Sequence, residues 1–325
     1  RVLFLSTKRK EAGNIMKISL VIPCYRSENT IETVLQEIEA TMSKRPVFTY
    51  QIVLVNDSSP DNLSKKLGEL VGRFRNVDVV EFTKNFGQHA ALMCGLRHAD
   101  GDIVVCLDDD GQTPADQVFD LVDTLNEGFD VVYANYPQLK KTFFRNFGTV
   151  VNNLMAELLI SKPKDIMMTS YFCMNRVIVD EVIKYTNAYP YVGGLVLRST
   201  NNIGKVMVNH RDRFNGTSSY TFKSLLGLWL NGFTAFSVKP LRLASLLGGL
   251  VSMFGIFYGI YTIGARLLNP DMPTGYASLI AVTVFIGGIN MIMLGLVGEY
   301  IGRMYISMNN SPQYVIKKVI SSDGK

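Results

Sequence analysis

The sequence predicts an α/β fold with a mostly parallel sheet, followed by a surface-lying helix and two C-terminal transmembrane helices. Three observations carry this. Over roughly 135 residues near the front, β-branched apolar runs alternate with segments whose apolar positions recur at helical spacing, the grammar of a helix-covered parallel sheet. Polar turns rich in Asp, Asn, Ser and Pro follow the apolar runs. Farther on, Leu243 to Ala265 and Ala277 to Gly298 carry no charge over 23 and 22 residues, each long enough to cross a hydrocarbon core of about 30 Å.

Residues 1–16 hold Lys8, Arg9, Lys10 and Glu11 without a period and read as an N-terminal arm, and Val2 to Leu5 is too short for the apolar region of a cleavable signal. Lys17 to Cys24 is the first strand. After the turn Tyr25 to Asn29, a helix is set by Ile31, Val34, Leu35 and Ile38. The unit repeats: strand Gln51 to Val55, turn Asn56 to Asp61, helix to about Arg75. Strand Val77 to Phe82, a turn through Gly87 and helix Gln88 to His98 form a third unit. Strand Ile103 to Leu107, helix Ala115 to Asn126 and strand Phe129 to Ala134 complete the alternating part. Lys140 to Ile160 then reads as an amphipathic helix, Asp165 to Asn175 ends in a strand, and Ile203 to Asn209 is a late strand. A polar loop from His210 to Tyr220 follows. Phe222 to Phe236 places Leu225, Leu226, Trp229, Leu230 and Phe233 among polar residues, which suits a helix lying on a membrane surface as well as an ordinary core helix. The expected divisions are thus an arm at 1–16, a catalytic domain at 17–215, a juxtamembrane helix at 216–240, two spans within 241–304 and a tail at 305–325.

Charge patterning orients the chain. Lys223, Lys239 and Arg242 precede the first apolar run and Arg303, Lys317 and Lys318 follow the second, while the connector has only Arg266 at its edge. The positive-inside rule puts both termini and the α/β domain in the cytoplasm of a multi-pass inner (plasma) membrane protein. A net charge of +5 is small for a nucleic-acid binder, and the basic residues gather toward the spans, as for affinity to anionic lipid and phosphate. Cys24, Cys94, Cys106 and Cys173 lack metal-type spacing and sit in apolar runs, as reduced packing residues do. Gly287 and Gly288 leave room for close helix packing and a homo-oligomer.

The chemistry gathers where the run Ile103 to Leu107 meets Asp108, Asp109, Asp110, Gly111, Gln112, Thr113 and Pro114. Carboxylates about 5 Å apart repel by roughly 3 kcal/mol at an effective dielectric near 20, so such a cluster is costly without a cation or proton. Asp108 and Asp110 would give Mg²⁺ or Mn²⁺ two oxygens and leave positions for water and a substrate phosphate. A solvated acidic turn is the bland alternative; the buried strand in front favours the site. Tyr25 with Glu28, and Asp57, stand at two other strand ends, although Asp57 also suits a plain turn. A sheet edge offering acids for a ribose and a metal for a diphosphate is a nucleotide-sugar site.

The stretches Val21 to Tyr25, Val55 to Asp61, Asn85 to Gly87 with Ala90, Gly95 and Asp102, and Asp108 to Gln112 with Pro114 resemble family 2 glycosyltransferases of the GT-A fold. Tyr171 to Met174, Arg213 with Gly216, Ser218 and Tyr220, Pro240 to Arg242 and Leu294 to Arg303 are similar to the membrane-anchored polyprenyl-phosphate glycosyltransferases, a group with dolichyl-phosphate mannose synthase relatives and undecaprenyl-phosphate glucosyl and aminoarabinose transferases. The resemblance implies a metal on Asp108 and Asp110, catalytic Gln112 and Arg213, and a nucleotide-sugar site of Pro23, Tyr25, Glu28, Asp57, Lys84 and Asp108. Arg145, Arg213 and Ser218 would hold phosphate on donor or acceptor. Ser27 stands where relatives often carry Glu, and Ser170 where many carry Asp, which weakens any acid at that point as a base.

The implied reaction is a single inverting displacement, with a UDP-sugar favoured as donor and undecaprenyl or another polyprenyl phosphate as acceptor. A lipid monophosphate is anionic near neutral pH and can attack without a general base when positioned in line. Transfer to another lipid, or a non-catalytic nucleotide-sugar-binding scaffold, are the alternatives. Chain extension is disfavoured, since no Gln-x-x-Arg-Trp sequence occurs and Trp229 is the only Trp. Glu299, costly at mid-bilayer by roughly 2.5 to 3.5 kcal/mol, reads as an interfacial anchor or helix contact rather than a catalyst. His89, His98 and His210 are scattered rather than ligand-like.

Overall fold

A computed structural model describes residues 15–136, 166–209, 239–268, 275–309 and 311–322. The helix expected over Lys140 to Ile160 with Arg145, the loop carrying Arg213 and Ser218, the helix around Trp229 and almost all of the N-terminal arm lie outside the described residues. The chain divides into two compact units, Arg1–Ser219 with Ser311–Lys325, and Tyr220–Asn310.

In the first unit, β1 (Lys17–Cys24), α1 (Ile31–Met42), β2 (Thr49–Asn56), α2 (Leu63–Val71), β3 (Val77–Phe82) and α3 (Gln88–His98) alternate as the sequence predicts. There follow β4 (Ile103–Cys106), a single 3₁₀ turn (Ala115–Gln117) running into α4 (Val118–Asn126), and β5 (Val131–Asn135). Next come β6 (Phe172–Asn175), α5 (Arg176–Val182), α6 (Val192–Ser199) and β7 (Ile203–Met207). The helices α5 and α6 are additions to the sequence reading. Both are short, and α6 begins Val-Gly-Gly, which hides a helical period.

The described strands form one sheet in the order β7-β5-β6-β4-β1-β2-β3-β8. Strands β1 to β4 pair in parallel, whereas β6 runs antiparallel between β4 and β5. After β3 the chain crosses to the far side of β1 to make β4, which creates a topological switch point between β1 and β4, where ligands bind in open α/β sheets. On one face Ile18, Leu20, Ile22, Ile52 and Leu54 pack with Val34, Leu35 and Ile38 of α1 and with α2 and α4, all buried. Fully burying such a side chain is worth about 1.5–3 kcal/mol. All four cysteines are free and buried within this domain.

On the other face α3 presses against β1 and β2 at Gly95. A Cβ there would overlap Val21 and touch Val55. Gly95→Ala is therefore expected to lower stability by roughly 1–3 kcal/mol, the cost of overpacking a dense core, read as a lower thermal midpoint. An unchanged midpoint would mean that α3 does not pack so closely.

The eighth strand, β8 (Ile316–Ser321), comes from the segment the sequence reading left as a tail. It pairs antiparallel with β3, with Val319 opposite Val80 and Lys318 opposite Glu81. Its Lys317 and Lys318 stand on an edge strand, where lysines discourage further pairing.

In the second unit, α7 (Lys239–Leu268) and α8 (Tyr276–Met308) are long and almost uniformly apolar. Among the described residues one stretch, Phe285–Ile306, is long and apolar enough to cross a membrane, and Gly248–Tyr261 is apolar over a shorter length.

Candidate active site

The turns after β1, β2 and β4 meet at the switch point, and backbone N–H groups and short polar side chains fix them to one another. Asp109, the middle acid, accepts the Tyr25 N–H at 2.9 Å. Its carbonyl oxygen accepts the Thr30 hydroxyl at 2.6 Å. Burial, joined by repulsion from Asp108 and Asp110, pushes Asp109 up to about 7 against the opposing pull of the Ser27 hydroxyl and the Tyr25 N–H. It thus straps the β1 turn to the acidic loop.

Asp108 accepts the Gln88 side-chain amide at 3.1 Å and, on its other oxygen, the Ser170 hydroxyl. Asp110 accepts the backbone N–H of Gln112 at 3.0 Å, closing a turn in which Gly111 has φ +76°, a conformation that favours glycine. Among the described residues no group of three or more His, Cys, Asp or Glu converges as a metal cage. Two carboxylates on one loop nonetheless fit Mg²⁺ or Mn²⁺, which typically take one or two carboxylates, several waters and substrate phosphate oxygens. The Ser170 hydroxyl thus holds one oxygen of the Asp108 carboxylate.

Asp57 is 4% exposed and caps the loop after β3: its two oxygens accept the N–H groups of Phe86 at 2.7 Å and Gly87 at 2.8 Å. Burial raises its pKa and the two N–H groups oppose the rise. This is more than the plain turn former that its sequence context also allows. Tyr25 is 43% exposed with the Arg26 guanidinium 5.5 Å from its ring centre, as a wall open to a base would be. Pro23 is buried within β1, opposite Val55. Glu28 accepts the Asn62 N–H at 3.1 Å while its own N–H donates to Asp61 at 3.2 Å, so it locks the β1 and β2 turns together. Lys84 is exposed over the Phe86 ring at 5.1 Å. Arg145, Arg213 and Ser218 lie outside the described residues.

Tyr136, directly after β5, also belongs here and the sequence reading missed it. Burial pushes its hydroxyl up to about 12, with Asp108 and Asp110 adding to the rise. Gln88 was missed as well; its place at the first position of α3, just past Gly87, was the available signal.

His89, next to Gln88, packs edge-on against Tyr191 at 5.0 Å between ring centres, with its Nδ1 buried and unpartnered. Burial lowers its pKa to about 4. A histidine held neutral in the fold but free to charge when unfolded destabilises the fold as pH falls from about 6.5 through 4. Relative to His89→Phe, the unaltered protein is expected to lose on the order of 3 kcal/mol between pH 7 and pH 4, measured by denaturant titration. Parallel pH profiles would contradict this.

Residues 19–183 match Glycosyl transferase family 2, and residues 239–304 match the GtrB C-terminal hairpin. The chain is 32% identical over 313 residues to the undecaprenyl-phosphate 4-deoxy-4-formamido-L-arabinose transferase of Proteus mirabilis, covering 94% of each. It is 30% identical over 311 residues to the uncharacterized glycosyltransferase YkcC of Bacillus subtilis, covering 95% of this chain and 96% of that one. Among solved structures, its fold is similar to glucosyl-3-phosphoglycerate synthase from Mycobacterium tuberculosis, in complex with Mn²⁺, UDP and phosphoglyceric acid (TM-score 0.50, 21% identity, 66% of this chain and 75% of that one). With the GT-A arrangement of a mostly parallel sheet and an acidic loop at its switch point, the chain belongs to glycosyl transferase family 2.

Proposed function

We propose that this glycosyltransferase moves a sugar from a nucleotide-sugar, with UDP the favoured nucleotide, to undecaprenyl or a related polyprenyl phosphate at the cytoplasmic membrane face, with inversion. The observation that carries the acceptor is the 94% mutual coverage with an undecaprenyl-phosphate transferase, hairpin included.

The membrane arrangement rests on topology. Strand β8 follows both apolar runs yet lies in the same sheet as β1, which supports an even number of crossings between them. Two spans, near residues 243–265 and 277–298, accord with this parity. Large apolar side chains on both helices, such as Phe254 at 72% and Met291 at 75% exposure, support contact with lipid. The proposed divisions remain the arm, the catalytic domain from residue 17 to 215, the juxtamembrane helix and the two spans, with β8 giving the tail a structural part.

In this reading Asp57 meets the nucleoside, Tyr25 stacks on the base, and Asp108 and Asp110 hold Mg²⁺ or Mn²⁺, which when bound supplies Lewis-acid stabilisation of the departing diphosphate. Ser170 and Gln88 set the orientation of Asp108. Arg145, Arg213 and Ser218 hold phosphate. The anionic acceptor oxygen attacks the anomeric carbon in line, and the nucleoside diphosphate leaves from the opposite face, so catalysis is mainly positioning and charge stabilisation.

The test is nucleoside diphosphate release by the full chain in detergent, with Mn²⁺, undecaprenyl phosphate and a panel of UDP- and GDP-sugars. Release from a UDP-sugar only when the lipid is present is the expected result. Release from a GDP-sugar would overturn the favoured nucleotide, and release indifferent to the lipid would overturn the acceptor.

A further inference from the structure

The segment that follows α8 is locked into the catalytic domain by an arginine that the reaction does not use. Arg97, near the end of α3, donates to Gln313 Oε1 and to the Tyr314 hydroxyl, both at 2.9 Å, and to the Tyr185 carbonyl at 2.8 Å. Gln313, a buried side chain, donates in turn to the carbonyls of Tyr185 at 2.9 Å and Asn187 at 2.7 Å. The Tyr314 ring stacks on Phe82 with centres 5.1 Å apart and planes 7° from parallel. Phe82 in turn meets Phe86 edge-on at 5.7 Å, and the Phe86 N–H is one of the two that hold Asp57. The Thr83 N–H donates to the Val315 carbonyl at 3.0 Å, so both edges of the loop between β3 and α3 are tied down.

We propose that Arg97 and Tyr314 are positioning residues for the donor site: they clamp the strand that follows the membrane hairpin onto β3 and, through Phe82 and Phe86, fix the loop whose N–H groups hold Asp57. The proposal rests on the donor-site reading above. It gives β8 a purpose beyond closing the sheet edge. The chain leaves α8 at Met308, and the segment after it is fastened to the catalytic domain at Gln313. A stacked aromatic pair favours one geometry beyond its buried area, enough to bias a loop.

The experiment measures UDP and GDP affinity by titration calorimetry, with and without Mn²⁺, for the detergent-solubilised full chain and for Tyr314→Ala, Tyr314→Phe and Arg97→Met. Thermal midpoints and the donor KM and kcat are followed alongside. The expected result is a five- to tenfold weaker Kd and an equally raised donor KM for Tyr314→Ala and Arg97→Met, with kcat within about twofold. Tyr314→Phe, which keeps the stack, stays within about twofold of the unaltered Kd. Should Tyr314→Ala fail to fold, Tyr314→Leu takes its place. Variants that lose thermal stability but bind nucleotide normally would overturn the proposal, as would a loss confined to kcat. Failure of the unaltered protein to bind either nucleotide would instead overturn the donor-site reading itself, and the clamp's role with it.

Discussion

Asp110→Asn is expected to reduce sugar transfer by roughly two to three orders of magnitude, the loss seen when one group that stabilises developing charge is removed. The amide keeps the size of the carboxylate and can still accept the Gln112 N–H through its oxygen, so the turn at Gly111 survives. What it loses is the charge that would complete a two-carboxylate metal site with Asp108. The measurement is initial rate against Mn²⁺ concentration, with circular dichroism to show an intact fold. An activity equal to that of the unaltered protein would remove Asp110 from the site.

Asp57→Ala is expected to raise the donor KM by about ten- to a hundredfold. Two N–H groups, from Phe86 and Gly87, lose their acceptor in a position that is almost wholly buried. Each hydrogen bond to a charged group is worth about 1.5–3 kcal/mol, and part of that loss falls on the shape of the nucleotide pocket. Donor saturation curves check this. A normal donor KM with only a lowered thermal midpoint would make Asp57 a loop cap and nothing more.

Much of this site was legible because its parts are local. An apolar run, β-branched at its start, that stops at Asp108 reads as a strand meeting a loop, and β1 with its turn at Tyr25 reads the same way. What local pattern could not supply is which strand ends meet. The crossover that sets β4 beside β1 places Asp109 against Tyr25, a contact between residues 84 positions apart. The acid in the middle of the cluster therefore turned out to be a strap. Equally hidden was β8: Ile316, Val319 and Ile320 are β-branched, but their partner strand lies about 240 residues earlier, and Lys317 and Lys318 read first as charges flanking a span. The antiparallel β6 could be foreseen as a strand, whereas its direction depends on pairing with β4 and β5.

Whether the sugar ends on a lipid phosphate is read from the product itself. The full chain in detergent is incubated with the productive labelled nucleotide-sugar, Mn²⁺ and undecaprenyl phosphate, and the lipid fraction is analysed by mass spectrometry and by phosphorus and proton NMR. The expected product is a sugar joined through a phosphodiester, with anomeric configuration opposite to that of the donor, and it does not form after chelation. A sugar joined to a neutral hydroxyl, or one with the donor's configuration retained, would contradict it.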